Sequence, residues 1–422
     1  MTNDRTIFHI TSKTIERFNC SERFRVGKQS KILFLNPRAA QVFQDMAYDA
    51  ARRWSPSQIW TEVSGVVHFY SNEDLVVKEI PRWACYNRKN YATRLFSMTS
   101  YFIYVFTKVL FSSSASLLFL VTTPPFLGLV GYVFKKLRGQ KYVMLVYDIH
   151  PGAMIGAGMM KDGFVAQLWR KFNRLILNNA DAVITIGEYM AANLAKDFCA
   201  EKTPLGRIAV IHNWSDVDCI KPLPKEDNPF IRKHGLEGKF IVMYSGNIGA
   251  THDMETLVEA AKTLKGDPTI KFVVIGEGAK KQFIVDSKEQ YALENMLILS
   301  YLPQDQLPYS LPSADIAIAA IESGVEGYLV PCKFYSYLAA GSAVIAICNA
   351  NCEIADIINK DQCGKVVALG DHVSLVNSIQ HYHDNKDCLD RAKANSRNAA
   401  VQKYSRKNTH SYIDVIEHVF RS

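Results

Sequence analysis

The stretch Met243-Tyr-Ser-Gly-Asn-Ile-Gly-Ala-Thr-His-Asp253 decides how this chain is read. It closes an apolar, β-branched run of strand length, 240–244, with a turn that carries two glycines, and a helical pattern over 254–264 follows at once. Gly246 and Gly249 allow φ > 0 and let the backbone come close to a ligand. Asp253 reads as the N-cap of that helix, whose first N–H groups and positive dipole end would face an anion lodged in the turn. This is the local geometry of a phosphate cradle. A strand-to-helix connection that binds nothing has the same signature, so the reading depends on what surrounds it.

Outward from this turn the chain alternates between strand and helix. Strands read at 31–35, 66–70, 117–121, 142–146 and 182–186, and a second series at 240–244, 271–275, 296–299, 316–320 and 343–347. Helical periodicity lies between them, including 91–110 and 126–137. Repeating βα units with apolar strands predict α/β architecture: parallel sheets covered on both faces by helices. Two series in 422 residues predict two doubly wound, Rossmann-like domains facing across a cleft. Their expected ranges are 31–211 and 212–395, after an N-terminal extension 1–30, with 396–422 as a C-terminal helix able to cross back. Turn-forming residues Asn213, Asp216, Pro222 and Pro224 mark the break. Ligands of such sheets sit beyond the carboxyl ends of the strands, so the cleft is the expected site.

Three further segments of the second domain point there. Lys271-Phe-Val-Val-Ile-Gly-Glu-Gly278 is another strand with a Gly-x-Gly turn, and Leu299-Ser-Tyr-Leu-Pro-Gln304 offers Tyr301 and Leu302 to flank a flat ring. In Val330-Pro-Cys-Lys-Phe-Tyr-Ser-Tyr-Leu-Ala-Ala-Gly341, Pro331 opens a helix and puts Lys333 in its first turn. A cation is a poor dipole partner at a helix start, and a bound phosphate explains it by satisfying both the ammonium and the N–H groups. A solvated lysine on an exposed turn is the plainer alternative.

Composition sets the class. The chain is 48% hydrophobic and 21% charged, ordinary globular values. Nine cysteines without CxxC spacing, and a first twenty residues that are polar and charged, predict reduced thiols in a cytosolic setting rather than a disulfide framework or zinc site. Residues 1–218 carry 27 Lys and Arg against 17 Asp and Glu, whereas 219–422 carry 22 against 24. Between Pro81 and Tyr147 there is no acidic residue, while Lys135, Lys136 and Arg138 lie there among apolar side chains. That pattern suits an anionic membrane surface or lipid phosphate; a merely solvated basic face has the same composition. Nucleic acid is disfavoured, because no helix-turn-helix, zinc-finger or RNP-type element is present. The apolar stretch 95–134 is interrupted by Lys108, three serines and Pro124-Pro125, so it reads as monotopic or soluble rather than membrane-spanning.

Taken together, Ser245-Gly246-Asn247, Gly276-Glu277-Gly278, Tyr301-Leu302-Pro303 and Pro331-Cys332-Lys333-Phe334-Tyr335 with Ala339-Ala340-Gly341 resemble the GT-B glycosyltransferases of family 4, in the branch of bacterial exopolysaccharide, colanic-acid and O-antigen clusters. In the first domain Val121-Thr-Thr-Pro-Pro125, Tyr147-Asp-Ile-His-Pro151, Ala180-Asp-Ala-Val-Ile184 and Ile211-His-Asn-Trp214 resemble it too. The resemblance implies a metal-independent, retaining transfer of a sugar from a nucleoside diphosphate donor to an acceptor hydroxyl, with no cofactor. By that resemblance Gly246, Asn247 and Gly249 line the diphosphate, Lys333 neutralises it, and Tyr301, Leu302 and Pro303 border the base. Ser245, His252, Gly276, Glu277, Gly278, Tyr335 and Ser336 complete the donor side. Fixed donors and a cation aimed at a leaving dianion stabilise the transition state.

Asp148 and His150, at a strand end, are the acceptor-side candidates: such a pair can position a hydroxyl or take its proton. Asp148 as a cap and His150 as a core histidine stay open. Arg38, after the first strand, is assigned to the donor or to a lipid pyrophosphate. Two departures stand out. Where many relatives carry two glutamates eight positions apart, this chain has Tyr328 and Ser336, leaving Glu322 or Glu326 as substitutes. Where relatives place an Arg and a Lys after the cradle, it has Asn247 and His252, the latter mostly neutral at an ordinary pKa near 6.5. The expected protein is a cytoplasmic, peripheral-membrane transferase that extends a polyprenyl-diphosphate-linked glycan. A nucleotide-sugar 2-epimerase-like enzyme and a noncatalytic GT-B scaffold subunit are the alternatives.

Overall fold

A computed structural model describes residues 31–62, 72–80, 91–198 and 208–422. The first lobe runs β1 (Ile32–Leu35), α1 (Gln41–Ala51), β2 (Ser57–Thr61), β3 (Leu75–Glu79), α2 (Tyr91–Leu110), β4 (Leu117–Val121), α3 (Gly128–Arg138), β5 (Tyr142–Val146), α4 (Gly152–Gly156), α5 (Phe164–Asn179), β6 (Ala182–Thr185), α6 (Glu188–Phe198) and β7 (Ile208–Val210). The second runs α7 (Pro229–His234), β8 (Phe240–Ser245), α8 (Glu255–Thr263), β9 (Ile270–Ile275), α9 (Lys281–Tyr291), β10 (Met296–Leu299), α10 (Leu307–Ser310), β11 (Ile316–Ala320), α11 (Lys333–Ala340), β12 (Ala343–Ile347), α12 (Glu353–Asp361), β13 (Gly364–Val367), α13 (His372–Asp384), α14 (Lys386–Lys403) and α15 (Thr409–Arg421).

Each lobe is one all-parallel sheet, ordered β3-β2-β1-β4-β5-β6-β7 and β10-β9-β8-β11-β12-β13. β1, β4, β5 and β12 are buried along their whole length, as strands covered by helices on both faces must be. In both sheets the winding reverses between the first and fourth strands, β1 and β4 here, β8 and β11 there. Those reversals open a crevice at the carboxyl ends, which is where the cradle after β8 and the segment after β5 lie.

The expected strand at 66–70 falls outside the described residues. β2 and β3 were not anticipated: Ser57-Gln-Ile-Trp-Thr61 is polar at three of five positions, and β3 is a half-exposed edge. The helix expected at 126–137 begins at Gly128, since Phe126 takes a positive φ of 66° after two prolines. No helix among the described residues is long and apolar enough to cross a membrane.

The lobes meet along a continuous seam. Ile149 N–H donates to Tyr328 O (2.9 Å), Asn193 Nδ2 donates to Gly327 O (3.0 Å), and Asp148 and Leu329 form an antiparallel bridge. The chain then returns to the first lobe. Arg406 pairs with Asp49 (2.7 Å) on α1, and Phe420 of α15 stacks on Trp54 at 5.4 Å. Tyr412 lies buried beside Phe119 and Trp214.

Two of the expected lipid-side cations are engaged inside the lobe. Lys135 pairs with Asp181 (2.7 Å). Arg138 donates to the carbonyls of Val109 (2.6 Å), Leu110 (3.1 Å) and Ser112 (3.2 Å), and covers the Phe134 ring at 4.6 Å. Its guanidinium therefore closes the carboxyl end of α2 onto α3. Charge-assisted bonds of this kind are worth about 1.5–3 kcal/mol, so Arg138→Ala is expected to lower the urea midpoint by about that much in stability, with Arg138→Lys recovering only part because an ammonium lacks the fork. An unchanged midpoint would leave Arg138 without this structural role.

Candidate active site

β8 ends in Ser245, and the side chain that fixes it comes from α11. Tyr337 Oη accepts from Ser245 N–H (2.9 Å) and donates to Ser245 O (2.8 Å), a two-point clasp on the last residue of the strand. Four residues earlier on α11, and so on the same face, Lys333 runs past the cradle. A Cβ placed on Gly246 would stand 3.2 Å from Lys333 Cδ and 3.9 Å from its Nζ. Gly246 is thus the residue that makes room for the lysine. Its φ of 142° suits the same choice.

The ammonium has unusual company. Lys333 Nζ bonds the Tyr244 hydroxyl and sits 3.8 Å above the Tyr244 ring centroid, and Tyr244 Oη donates in turn to Asn247 O (2.6 Å). Among the described residues no carboxylate pairs with it. Burial pushes its pKa well below the usual lysine value. A desolvated cation without a counter-charge is costly, and the first turn of α11 carries no acidic residue to offset it. An anion at this helix start would satisfy both.

The cradle itself differs from the expectation. Gly246, Ile248 and Gly249 N–H groups donate to Ile275 O (2.8 Å), Glu277 O (2.9 Å) and His252 Nδ1 (3.2 Å), so those amides serve the fold. α8 begins at Glu255, one residue later than expected. Asp253 still caps it, accepting from Thr256 N–H (2.9 Å), but with Glu255 it places two carboxylates at that helix start. The anion-seeking end is therefore α11 rather than α8.

Gly276 and Gly278 act beneath the cradle. A Cβ on Gly276 would lie 1.9 Å from Gly246 O, and one on Gly278 2.1 Å from Ile248 O. Lys280, which sequence reasoning passed over, completes the layer. Its N–H donates to Ile248 O (3.0 Å), and its Nζ bonds Glu255 (2.8 Å) and Glu322. Burial alone would lower its pKa, but the two carboxylate bonds raise it. One side chain thus ties the loops after β8, β9 and β11 together. Tyr301 donates to Glu277 O (3.4 Å) beside them, with Leu302 half-buried and Pro303 opening the next turn.

Two expected donor residues lie elsewhere. Tyr335, two positions from Lys333, points to the opposite side of α11 and packs in the core 5.3 Å from Tyr404. Ser336 Oγ accepts from Ser215 (3.3 Å) of the interlobe segment. Tyr337 belongs to the site instead; its i+4 spacing from Lys333 was the signal in the sequence. Tyr328 spends its position on the seam, with its ring where a Cβ on Gly152 would stand (2.2 Å). Glu326 is held by Gly324 N–H and Asn349 Nδ2, both at 2.6 Å.

On the first-lobe side, Asp148 faces the same helix start. Burial, then the charge of Asp148, holds the Cys332 thiol up at about 11. Burial raises the Asp148 pKa in turn, partly offset by His150. Both line a cavity of about 40 Å³ with Thr122, Phe126, Trp169 and Asn173. Ligand pockets run to about 300 Å³ or more, so this recess admits no sugar ring. Asn173 Nδ2 donates to His150 O (2.6 Å) and the His150 ring lies 5.7 Å from Trp169. Arg38 is exposed just beyond β1, its N–H bonded to Asn36 (2.9 Å). Among the described residues no group of three His, Cys, Asp or Glu is arranged to hold a metal ion.

Residues 226–399 match the family described as Glycosyl transferases group 1. That match spans most of the second lobe, from α7 into α14. The chain is 31% identical over 263 residues to "Probable glycosyltransferase WbjE" of Pseudomonas aeruginosa, covering 61% of this chain and 64% of that protein. It is 30% identical over 228 residues to the "Putative colanic acid biosynthesis glycosyl transferase WcaI" of Escherichia coli (strain K12), covering 53% and 54%. The chain therefore matches less than two thirds of the length of these relatives. The crystal structure of Anabaena Alr3699/HepE in complex with UDP aligns with a TM-score of 0.70 at 14% identity, over 92% of this chain and 100% of that one, a likeness of fold. The two-lobed GT-B fold read from the sequence is the fold observed.

The second lobe contains a titratable group whose burial can be tested. Burial, then Lys333, brings the His252 pKa down to about 3, and its Nδ1 already accepts from Gly249 N–H. The unfolded chain, with a pKa near 6.5, takes up the proton first, so this contribution is complete above about pH 6.5 and is lost as pH falls toward 3. Between pH 7 and pH 5 the loss is about 2 kcal/mol. His252→Asn keeps an acceptor for Gly249 N–H and is expected to abolish that part of the acid limb in urea titrations at the two pH values. Equal losses in both proteins would show that His252 is not buried as a neutral ring.

Proposed function

We propose that this chain is a retaining glycosyltransferase of cell-surface polysaccharide biosynthesis. It takes a sugar from a nucleoside diphosphate donor held by the second lobe and passes it to a hydroxyl of a lipid-linked glycan presented by the first. The observation that carries the reading is the half-buried Lys333 ammonium, packed against Gly246 at an uncapped helix start with no carboxylate partner among the described residues. The group 1 match and the UDP in the HepE structure support a nucleoside diphosphate as the anion.

In this reading the donor's diphosphate lies along the α11 start. As the bond to the sugar breaks, charge accumulates on the leaving phosphate oxygen, and Lys333 and the positive dipole end of α11 stabilise it most in the transition state. Charge neutralisation is assigned to these groups, without a metal or other cofactor. Tyr244 and Tyr337 hold the lysine and strand end in register, and Lys280 holds the three surrounding loops. Tyr301 is assigned to the base. Asp148, whose raised pKa makes it a better proton acceptor, takes the proton of the acceptor hydroxyl, with His150 beside it. The enzyme works at the cytoplasmic membrane face, where a polyprenyl-diphosphate acceptor would be anchored.

Lys333→Met removes the charge and keeps the bulk. Loss of a charge-assisted contact worth about 1.5–3 kcal/mol raises the dissociation constant for nucleoside diphosphate by about ten- to a hundredfold in calorimetry. Thermal stability should hold or rise, because a buried unpaired cation is gone. Unchanged affinity would remove Lys333 from the donor site. With donor and lipid-linked acceptor present, nucleotide release with a lengthened glycan marks transfer, isomerised free nucleotide sugar marks an epimerase, and binding without turnover marks a scaffold.

A further inference from the structure

The sugar-transfer chemistry leaves one large surface unused: the outer side of α2, α3 and α5. These helices lie side by side on one face of the first sheet. The Phe106 and Phe134 rings are 5.2 Å apart between α2 and α3, and a Cβ on Gly128 of α3 would stand 2.4 Å from Ile176 of α5. Their inner faces bury Tyr101, Val105, Val109, Phe134 and Ile176 in the core. Their outer faces are apolar as well. Phe96, Ile103 and Leu110 recur every seven residues along α2, and Phe164, Leu168, Phe172 and Leu175 line one side of α5. Phe164 is 80% exposed, Phe111 76% and Ile103 56%. Twelve of the seventeen exposed large hydrophobic side chains among the described residues fall between Leu95 and Leu175.

Charge is concentrated on the same helices. Residues 91–180 contain ten Lys and Arg against two Asp and no Glu, a net of +8, equal to that of the whole chain. Neither acid faces outward unpaired: Asp148 lies at the cleft, and Asp162 is held by Arg170 (2.7 Å). With Lys135 and Arg138 turned inward, the exposed ammonium groups of this side are those of Lys136, Lys161 and Lys171.

We infer that this face is the surface by which the protein lies on a bilayer of anionic phospholipid. Helices that are apolar on both sides, fringed with lysine and empty of carboxylate, match the interface between acyl chains and acidic headgroups. A second copy of this chain is a poorer partner, since its other half is nearly neutral and carries few exposed large hydrophobic residues. The inference extends the lipid-linked acceptor reading but stands on different residues. It also places the mouth of the cleft near the membrane: α4, where Gly156 meets Gly324 of the second lobe, leads directly into exposed Met159 and Phe164.

The test is sedimentation of the full chain with vesicles of phosphatidylcholine plus phosphatidylglycerol, against phosphatidylcholine alone. The wild type is expected to bind the anionic vesicles, less so at high salt. Phe164→Ser with Leu168→Ser should weaken that binding about tenfold or more, and Lys161→Ser with Lys171→Ser about tenfold on anionic vesicles only. Unchanged circular dichroism and nucleoside diphosphate affinity show that both variants are folded. Absence of any preference for anionic vesicles, with nucleotide binding intact, overturns the docking surface and leaves the transferase reading standing. Light scattering that shows a dimer which the Phe164→Ser, Leu168→Ser protein loses would also overturn it, by making the face a contact between copies. Vesicle binding without nucleotide binding would keep the surface and remove the transferase reading.

Discussion

A half-buried lysine ammonium set against a phenol ring and its hydroxyl, with no carboxylate among the described residues to balance it, is the constraint around which the second lobe is arranged. It requires a residue without a side chain at position 246, because a Cβ there would crowd the lysine stem. It requires α11 to be fixed against the end of β8, which the Tyr337 clasp does through both the N–H and the C=O of one residue. It also tunes its neighbour: after burial, the lysine is the group that most opposes protonation of the His252 ring. Desolvating one cation is tolerable when the gain appears on binding an anion, since a site assembled beforehand needs no rearrangement at the moment of use.

The loop between β11 and α11 links this site to the rest of the molecule. Glu322 reaches Lys280 beneath the cradle, Glu326 is pinned by Asn349, and Tyr328 is seated on Gly152 across the seam. The positions where relatives carry glutamates are thus occupied by a tyrosine that joins the lobes and a serine that meets the interlobe segment. Asp148 enters from the opposite lobe and is near enough to α11 to influence Cys332. Acid, cation and helix start converge from two domains, which is what a cleft between doubly wound sheets provides.

The architecture was legible wherever a buried strand is also an unbroken apolar run. β4, β5, β8, β9, β11 and β12 are short β-branched or aliphatic runs bounded by turn residues, and periodicity alone finds them. β2 and β13 escaped because polar or glycine residues break their patterns, and β3 because an edge strand needs less apolar surface. Within the site, Lys333 and Gly246 were readable because chemistry and spacing coincide. Tyr335 was misassigned because being next to a motif in sequence says less than the helical face does. Lys280 could not be found from spacing, as its partners Glu255 and Glu322 are brought to it only by the packing of three loops. The amides of the cradle were expected to be available, yet the β9 strand end and turn use those of Gly246 and Ile248 and His252 uses that of Gly249, a fact visible only once the two glycine turns are stacked.

The path of the last helix has a consequence for biogenesis. Tyr412, Ile416 and Val419 are buried to within about 1% in the core of the first lobe, although they are translated only after the whole second sheet. Domains usually fold in order as they leave the ribosome. Here the N-terminal lobe cannot complete its packing until the C-terminal lobe has been synthesised and the chain has crossed back, so until then a partly assembled lobe must wait with the α15 site on its core uncovered.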